Sequence, residues 1–360
     1  MLATATPSPL DLLTALLAEP PDLSILADPI AWAAVQRSVG RHGVGPLIAW
    51  TARPHLSGPD REWCDGVLTR SWRRHMQGLV DLKAILGILA EAAVPSLVLK
   101  GPVLASRYYE PAFLRKPSTD IDVAVKRRDL ARAIAALEKH GYSGEWPLRE
   151  ALARSHHFAM EKAGRPGVEL HFRLSHGSHG IPVEEFFERA ITYELPGGPP
   201  VQVLSPADEI LHLVLHRAYG RFATLFHFYE IRKLWKAATP AVREETLRRA
   251  VEHHFAGVLA LTDAGFRARW KEPFLPPDSP WAKTWLHGRI NEELYFAFER
   301  LSDPGRELPV GVRLARRWLD LQLTDRPSDA ARFAANMLGV AWFQLWRAGW
   351  RTVRVVQQGK

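Results

Sequence analysis

Ser118-Thr119-Asp120-Ile121-Asp122-Val123-Ala124-Val125 alternates in polarity residue by residue, and it decides how the middle of the chain is read. Successive side chains on a strand leave opposite faces, so Asp120 and Asp122 share one side while Ile121, Val123 and Val125 share the other. Two carboxylates are thereby held next to each other. A divalent cation relieves their repulsion, and Mg²⁺ suits an oxygen donor set that also meets phosphate. Downstream, Val168-Glu169-Leu170-His171-Phe172 repeats the alternation, with Glu169 and His171 on one face. If that strand neighbours the first, Glu169 becomes a third acid, and such a trio can hold two metal ions about 4 Å apart. Glu169 is then also placed to act as the base for an acceptor hydroxyl.

Outward from this strand, elements alternate. Pro95-Ser96-Leu97-Val98-Leu99-Lys100-Gly101 reads as a buried strand running into a glycine turn, and Pro102 suits the first turn of a helix that continues to about Tyr109. Glu110 to Pro117 reads as a loop. Leu130 to His140 is a helix closed by Gly141, and Gly164-Arg165-Pro166-Gly167 is a turn between strands at Phe158–Glu161 and Val168–Phe172. Residues 95–204 are therefore expected to form an α/β core. Residues 1–94 carry helical spacing, as in Leu79-Leu82-Ile85-Leu86-Leu89, and Pro20-Pro21, Pro54 and Pro59 are expected to divide them into short helices. Ser205-Pro206-Ala207-Asp208 is a helix start, and helical periodicity dominates residues 205–360.

Composition narrows the classes. With 360 residues, 47% of them hydrophobic, a disordered or collagen-like chain is excluded. The single Cys64 allows no internal disulfide, the N-terminal residues lack a signal-peptide pattern, and the longest uncharged apolar stretch, Phe333 to Trp346, is shorter than the ~20 residues that span a bilayer. A cytoplasmic protein without a transmembrane segment is expected. A net charge of +8 favours anionic partners without choosing among them. No Gly-x-x-x-x-Gly-Lys loop or Gly-x-Ser-x-Gly elbow is present, so P-loop and α/β-hydrolase chemistry have no support.

The order Leu99-Lys100-Gly101, Tyr108-Tyr109, Arg115, Asp120-Ile121-Asp122-Val123-Ala124-Val125, Gly141-Tyr142 and Glu169-Leu170-His171 resembles the uncharacterised nucleotidyltransferase family of the polymerase-beta-like superfamily, over roughly Leu79 to Leu234. The resemblance implies an α+β, mainly helical protein, with a central polymerase-beta-like core and small mixed sheet between N- and C-terminal helical regions. It implies a nucleoside triphosphate donor and two Mg²⁺ ions bound by Asp120, Asp122 and Glu169, with Gly101 as the turn glycine that holds the triphosphate. The sequence departs from the superfamily pattern at Pro102, which removes a hydroxyl and an N–H from the phosphate cradle, and at Glu169, where Asp is commoner. Lys100 can supply compensating charge to the phosphate, and Arg115, just before the acid strand, can swing over it.

Among the histidines, His216 matches a family position facing the cleft and is the candidate for contact with nucleotide or acceptor, while His212 lies one turn before it. Glu230 matches a family acid on the next helix, or else pairs at the surface with Arg232 or Lys233. His171, His176 and His179 raise a zinc site, but their loop spacing and the lack of a nearby Cys favour solvated histidines. Phe333, Trp342, Phe343, Trp346 and Trp350, with Arg332, Arg347, Arg351 and Arg354, read as a helix docked on the body. The leading expectation is a Mg²⁺-dependent nucleotidyltransferase acting on a small molecule, a modified peptide or a protein, with nucleic acid less favoured. Two alternatives stay open: a nucleotide-binding module with weak turnover, and an adaptor that uses the basic aromatic C-terminal helix.

Overall fold

A computed structural model describes residues 7–144, 147–174, 181–219 and 224–276, together with 321, 323, 325, 328, 331, 334 and 335. The chain opens with helices α1 (Pro9–Leu16), α2 (Pro29–His42), α3 (Gly45–Ala52) and α4 (Gly58–Glu91). Local chemistry sets their ends. Asp28 caps α2 by accepting from the N–H groups of Ile30 and Ala31 at 2.9 and 3.2 Å, and Gly43, at φ +69°, closes it in the left-handed conformation. The expected division into short helices is wrong for the last of them. Pro59 stands in the first turn of α4, where its missing N–H costs nothing, and the helix then runs for 34 residues.

The centre is a mixed sheet of seven strands: β1 (Ser96–Val98), β2 (Asp120–Val125), β3 (Ser143–Gly144), β4 (His157–Glu161), β5 (Gly167–His171), β6 (Ile191–Glu194) and β7 (Pro200–Val203). Their order across the sheet is β3-β4-β5-β2-β1-β7-β6. The pair that matters most is β2 with β5, which is parallel, while β4 and β5 form an antiparallel hairpin across the Gly164–Gly167 turn. Helices α5 (Gly101–Tyr108), α6 (Leu130–Lys139), α7 (Leu148–Arg154) and α8 (Glu184–Glu188) fill the connections.

The two faces of the sheet carry different chemistry. Ile121, Val123 and Val125 of β2, with Val168 and Leu170 of β5, pack against Leu79, Leu82, Ile85 and Leu89 of α4 and against α6 in one apolar core. Leu86, in the same sequence stripe, is only half-buried at its edge. The opposite face meets a second core containing Leu97, Leu99 and Ala124, built from the N-terminal helices and from α9 (Pro206–Tyr219), α10 (Leu225–Ala237), α11 (Pro240–Glu252) and α12 (Ala256–Trp270). Ser205 caps α9 as its sequence predicts, its Oγ accepting from the Asp208 N–H at 3.3 Å. Among the described residues no helix is long and apolar enough to cross a membrane. The aromatic and arginine residues singled out between 332 and 354 lie outside the described residues.

Candidate active site

Period-2 alternation has a direct consequence on this sheet. Because the apolar residues of β2 and β5 face α4 and α6, Asp120, Asp122, Glu169 and His171 emerge on the other face, toward α9. The register sets Asp122 beside Glu169, Ala124 beside His171, and Asp120 beside Gly167. Donor atoms of Asp122, Glu169 and His171 all lie within 4.8 Å of one another. Asp120 stands one step along the same face, outside that group, at a cleft it lines with Gly101, Pro102, Ser118 and Arg115.

Lys100 reaches this group from the end of β1. Its backbone sits at φ +44°, ψ −144°, a conformation costly for any residue with a Cβ, and Gly101 follows at φ +56°. These two residues reverse the chain at the start of α5 and aim the lysine at the acids. Its Nζ lies 3.0 Å from Asp122 Oδ1, and the Leu99 N–H donates to the Asp122 carbonyl at 3.0 Å. His171 Nε2 lies 2.9 Å from the same Oδ1 and 3.3 Å from Glu169 Oε2.

The electrostatics separate the carboxylates. Burial opposes ionisation of Asp122, but Lys100 and His171 override it and hold its carboxyl well below the usual range. Glu169 is only partly buried; burial opposes its ionisation too, yet its hydrogen bond from His171 keeps it below its ordinary value. Among the described residues Asp120 is hydrogen-bonded or ion-paired to neither cation, and Lys100 and His171 lower it only at a distance. Burial, then the charges of Asp122 and Glu169, push it up to about 6. His171 titrates above its ordinary value because its bonds to Asp122 and Glu169 outweigh burial, whereas burial and then His171 push His157 down to about 4.

Arg115 corrects an expectation. It does not swing free: its Nε donates to Glu230 Oε1 at 2.6 Å and its Nη2 to Glu230 Oε2 at 3.1 Å, in a pair that is almost fully buried. The Tyr109 hydroxyl donates to the same carboxylate at 3.4 Å. A bidentate pair fixes the guanidinium plane, so Arg115 borders the cleft as a held charge. Glu230 in turn is not a surface acid paired with Arg232 or Lys233, because α10 turns it inward against β2's approach loop. Arg232 instead pairs with Glu272 at 2.7 Å.

His216 is half-buried on α9, its ring 6.1 Å from that of His212 and 5.5 Å from that of His227. The nearby Lys100 charge, then burial, hold His216 well below the ordinary histidine range, so it is a neutral imidazole at the back of the site. His212 is driven down to about 3 by burial and Lys100. His176 and His179 lie outside the described residues.

Two residues beside the acids were not anticipated from sequence. His157, first residue of β4, pairs across the hairpin with His171, and the rings of His156 and His157 lie 4.3 Å apart. The signal was available. Counting back from the Gly164–Gly167 turn pairs residue 157 with 171, which puts a second histidine beside Glu169.

The sequence model of the family described as "Uncharacterised nucleotidyltransferase" matches residues 28–263, more than half of the chain. No curated protein matches. Among solved structures, the antibiotic-resistance factor ANT(2'')-Ia is similar at 16% identity and a TM-score of 0.35, covering 49% of this chain and 95% of its own. An antigenic nucleotidyltransferase-like protein from Paracoccidioides brasiliensis is similar at 12% identity and a TM-score of 0.30, covering 49% of this chain and 88% of its own.

Proposed function

The chain belongs to the uncharacterised nucleotidyltransferase family, and from that premise we propose that it moves a nucleoside monophosphate from a nucleoside triphosphate to a hydroxyl or phosphate acceptor, using Mg²⁺ held by Asp120, Asp122 and Glu169. The observation that supports this most is the uncompensated charge at Asp120. Three carboxylates face the Lys100 ammonium and the His171 ring, and Asp120, which is paired directly with neither, is pushed up to about 6, as expected where a cation belongs. The oxygen donor set fits Mg²⁺, which bridges carboxylates to phosphate oxygens. When bound, the ions would neutralise phosphate charge and lower the energy of an attacking acceptor oxygen.

The remaining work falls to the chain's own side chains. Lys100 places a positive charge at the mouth of α5, and the Lys100–Gly101 turn lets the triphosphate approach that helix N-terminus. The Pro102 ring removes one N–H from the cradle, and the Lys100 charge offsets that loss. Arg115, locked on Glu230, contributes a fixed positive potential beside the cleft. Glu169, kept ionised by its bond from His171, is the group able to take the proton of an acceptor hydroxyl. The neutral His216 is available to hydrogen-bond nucleotide or acceptor. A small molecule, a modified peptide or a protein remains the acceptor class, in a cytoplasmic setting.

The test is equilibrium binding of each labelled nucleoside triphosphate with and without Mg²⁺. The parent binds one of them in a Mg²⁺-dependent way, and Asp120→Asn abolishes that dependence while remaining folded. Equal Mg²⁺-dependent binding by that variant refutes the assignment of the metal-holding acids.

A further inference from the structure

We propose that Arg74 and Lys116 bind the pyrophosphate end of the triphosphate, in the cleft that Asp120 borders. The assignment rests on the nucleotidyl-transfer reading for the identity of its ligand and on the distribution of charge for its residues. Four basic side chains, Arg74, His75, Arg115 and Lys116, line this cleft together with Asp120 and Gly101. Two cations at or beside it are already engaged. Lys100 Nζ lies 3.0 Å from Asp122, and Arg115 is locked on Glu230 at 2.6 Å. The side chains of Arg74 and Lys116 form no ion pair or hydrogen bond among the described residues. Burial and then the Arg115 charge lower the pKa of His75, so its ring adds no net charge at neutral pH.

The fold explains how the two come to the same cleft. Gly78 lets α4 lie against the start of α5, since a Cβ there would stand 3.2 Å from Pro102 Cγ. Arg74 precedes Gly78 by four residues, one turn along the same flank of α4, and so stands near the turn where Pro102 lacks an N–H. Lys116 follows Arg115 in the loop before β2. That loop is held by Arg115, whose Nη1 donates to the Lys116 carbonyl at 3.3 Å and to Ser118 Oγ at 3.4 Å while Glu230 accepts from its Nε. The Lys116 stem crosses Gly43, where a Cβ would stand 2.8 Å from Lys116 Cδ. Its stem is thus ordered before any ligand arrives, which reduces the entropy lost on binding.

The chemistry of transfer gives these cations their role. The acceptor oxygen bonds the α-phosphorus, the bridging oxygen departs with the electron pair of the broken bond, and pyrophosphate gains negative charge as it leaves. Fixed cations at that end stabilise the developing charge. The cleft is short of charge of both signs. Burial and then the Arg115 charge lower the pKa of Lys116, the counterpart of the weakened acidity of Asp120. Magnesium pyrophosphate supplies what each lacks, a cation for the carboxylate and phosphate oxygens for the ammonium.

Calorimetric titration of the full-length chain with inorganic pyrophosphate, with each nucleoside triphosphate and with its monophosphate, in Mg²⁺ and without acceptor, tests the site. Arg74→Gln and Lys116→Met, shown to be folded by circular dichroism, should each weaken pyrophosphate and triphosphate by about 10-fold or more, and leave monophosphate within about twofold of the parent. Methionine keeps a stem over Gly43, so the loss at residue 116 reports the charge. Arg74→Lys should recover part of the loss at residue 74. Unchanged pyrophosphate affinity in both variants, equal losses for monophosphate and triphosphate, or no pyrophosphate binding by the parent overturns the proposal. An anionic acceptor bound here instead would give the first of these results. Asp120→Asn reports separately on the metal-holding acids. Mg²⁺-dependent triphosphate binding that is lost there but untouched in Arg74→Gln and Lys116→Met refutes this site and leaves the nucleotidyl-transfer reading standing. Pyrophosphate held through both cations by a chain that binds no triphosphate keeps this site and refutes that reading.

Discussion

Two groups of buried charge lie side by side in this protein and are built on opposite terms. At Arg115–Glu230, one guanidinium meets one carboxylate in two parallel bonds, a tyrosine hydroxyl adds a third, and the charges balance. At Asp120–Asp122–Glu169, three acids converge on a single ammonium and one histidine, and the strain is visible in the weakened acidity of Asp120. The balanced pair holds α10 to the loop before β2. The unbalanced group is held by the β2–β5 pairing, Lys100 and His171, and the surplus is what a cationic ligand would relieve.

The contrast predicts different responses to mutation. The largest effect should come from breaking the balanced pair. Arg115→Ala or Glu230→Ala leaves a buried charge without its partner, and each should cost about 3–5 kcal/mol in denaturant unfolding, while a joint Arg115→Met, Glu230→Leu replacement recovers most of it. A variant that keeps full stability yet loses nucleotide affinity would move Arg115 from the scaffold to the substrate.

The unbalanced group should respond in the other direction. The folded Asp120 carboxyl titrates at about 6 instead of 3.8, so the folded state holds that proton more tightly than the unfolded chain does. Its contribution favours folding below pH ~4 and is lost as pH rises toward 6. In metal-free buffer, Asp120→Asn should therefore match the parent at pH ~4 and exceed it by about 1–3 kcal/mol above pH ~6. Melting temperature against pH, with chelator and then with Mg²⁺, measures this directly. Mg²⁺ should raise the parent and leave the variant unmoved; a variant less stable than the parent at neutral pH contradicts the surplus-charge account.

Much of this contrast was legible in the sequence, but unevenly. Asp120, Asp122 and Glu169 are on strands, where a period of two fixes the face outright, and a parallel β2–β5 pairing is all that convergence needed. Strands β6 and β7 escaped because four-residue alternations around Pro196–Pro200 give a weak signal. The length of α4 escaped because Pro59 marks a helix start as readily as a break. The inward turn of Glu230 could not be read at all. Helical phase says which residues share a face, and only packing against β1 and β2's approach loop says which face is inside.

The charge of Lys100 bears on substrate more than on stability. Lys100→Met should weaken nucleoside triphosphate binding by about 1.5–3 kcal/mol, the worth of a hydrogen bond to a charged group, read by titration at saturating Mg²⁺. Affinity within a factor of two of the parent would leave the phosphate without its nearest cation.

Lys100→Gly sharpens the comparison most finely. Both substitutions at this position delete the ammonium, so Asp122 loses the same partner in each. They differ in the backbone. At φ +44°, ψ −144°, a residue with a Cβ is strained by about 1–3 kcal/mol, and glycine adopts the same conformation without that cost. Glycine also loses more freedom on folding, by roughly 0.5–1 kcal/mol. Lys100→Gly should thus unfold about 1 kcal/mol later than Lys100→Met, with nucleotide affinity equally reduced in both. That outcome would show that the chain accepts backbone strain at residue 100 for the sake of its ammonium. Equal stability of the two variants would mean the turn is relaxed, and that lysine stands there without a conformational cost to explain.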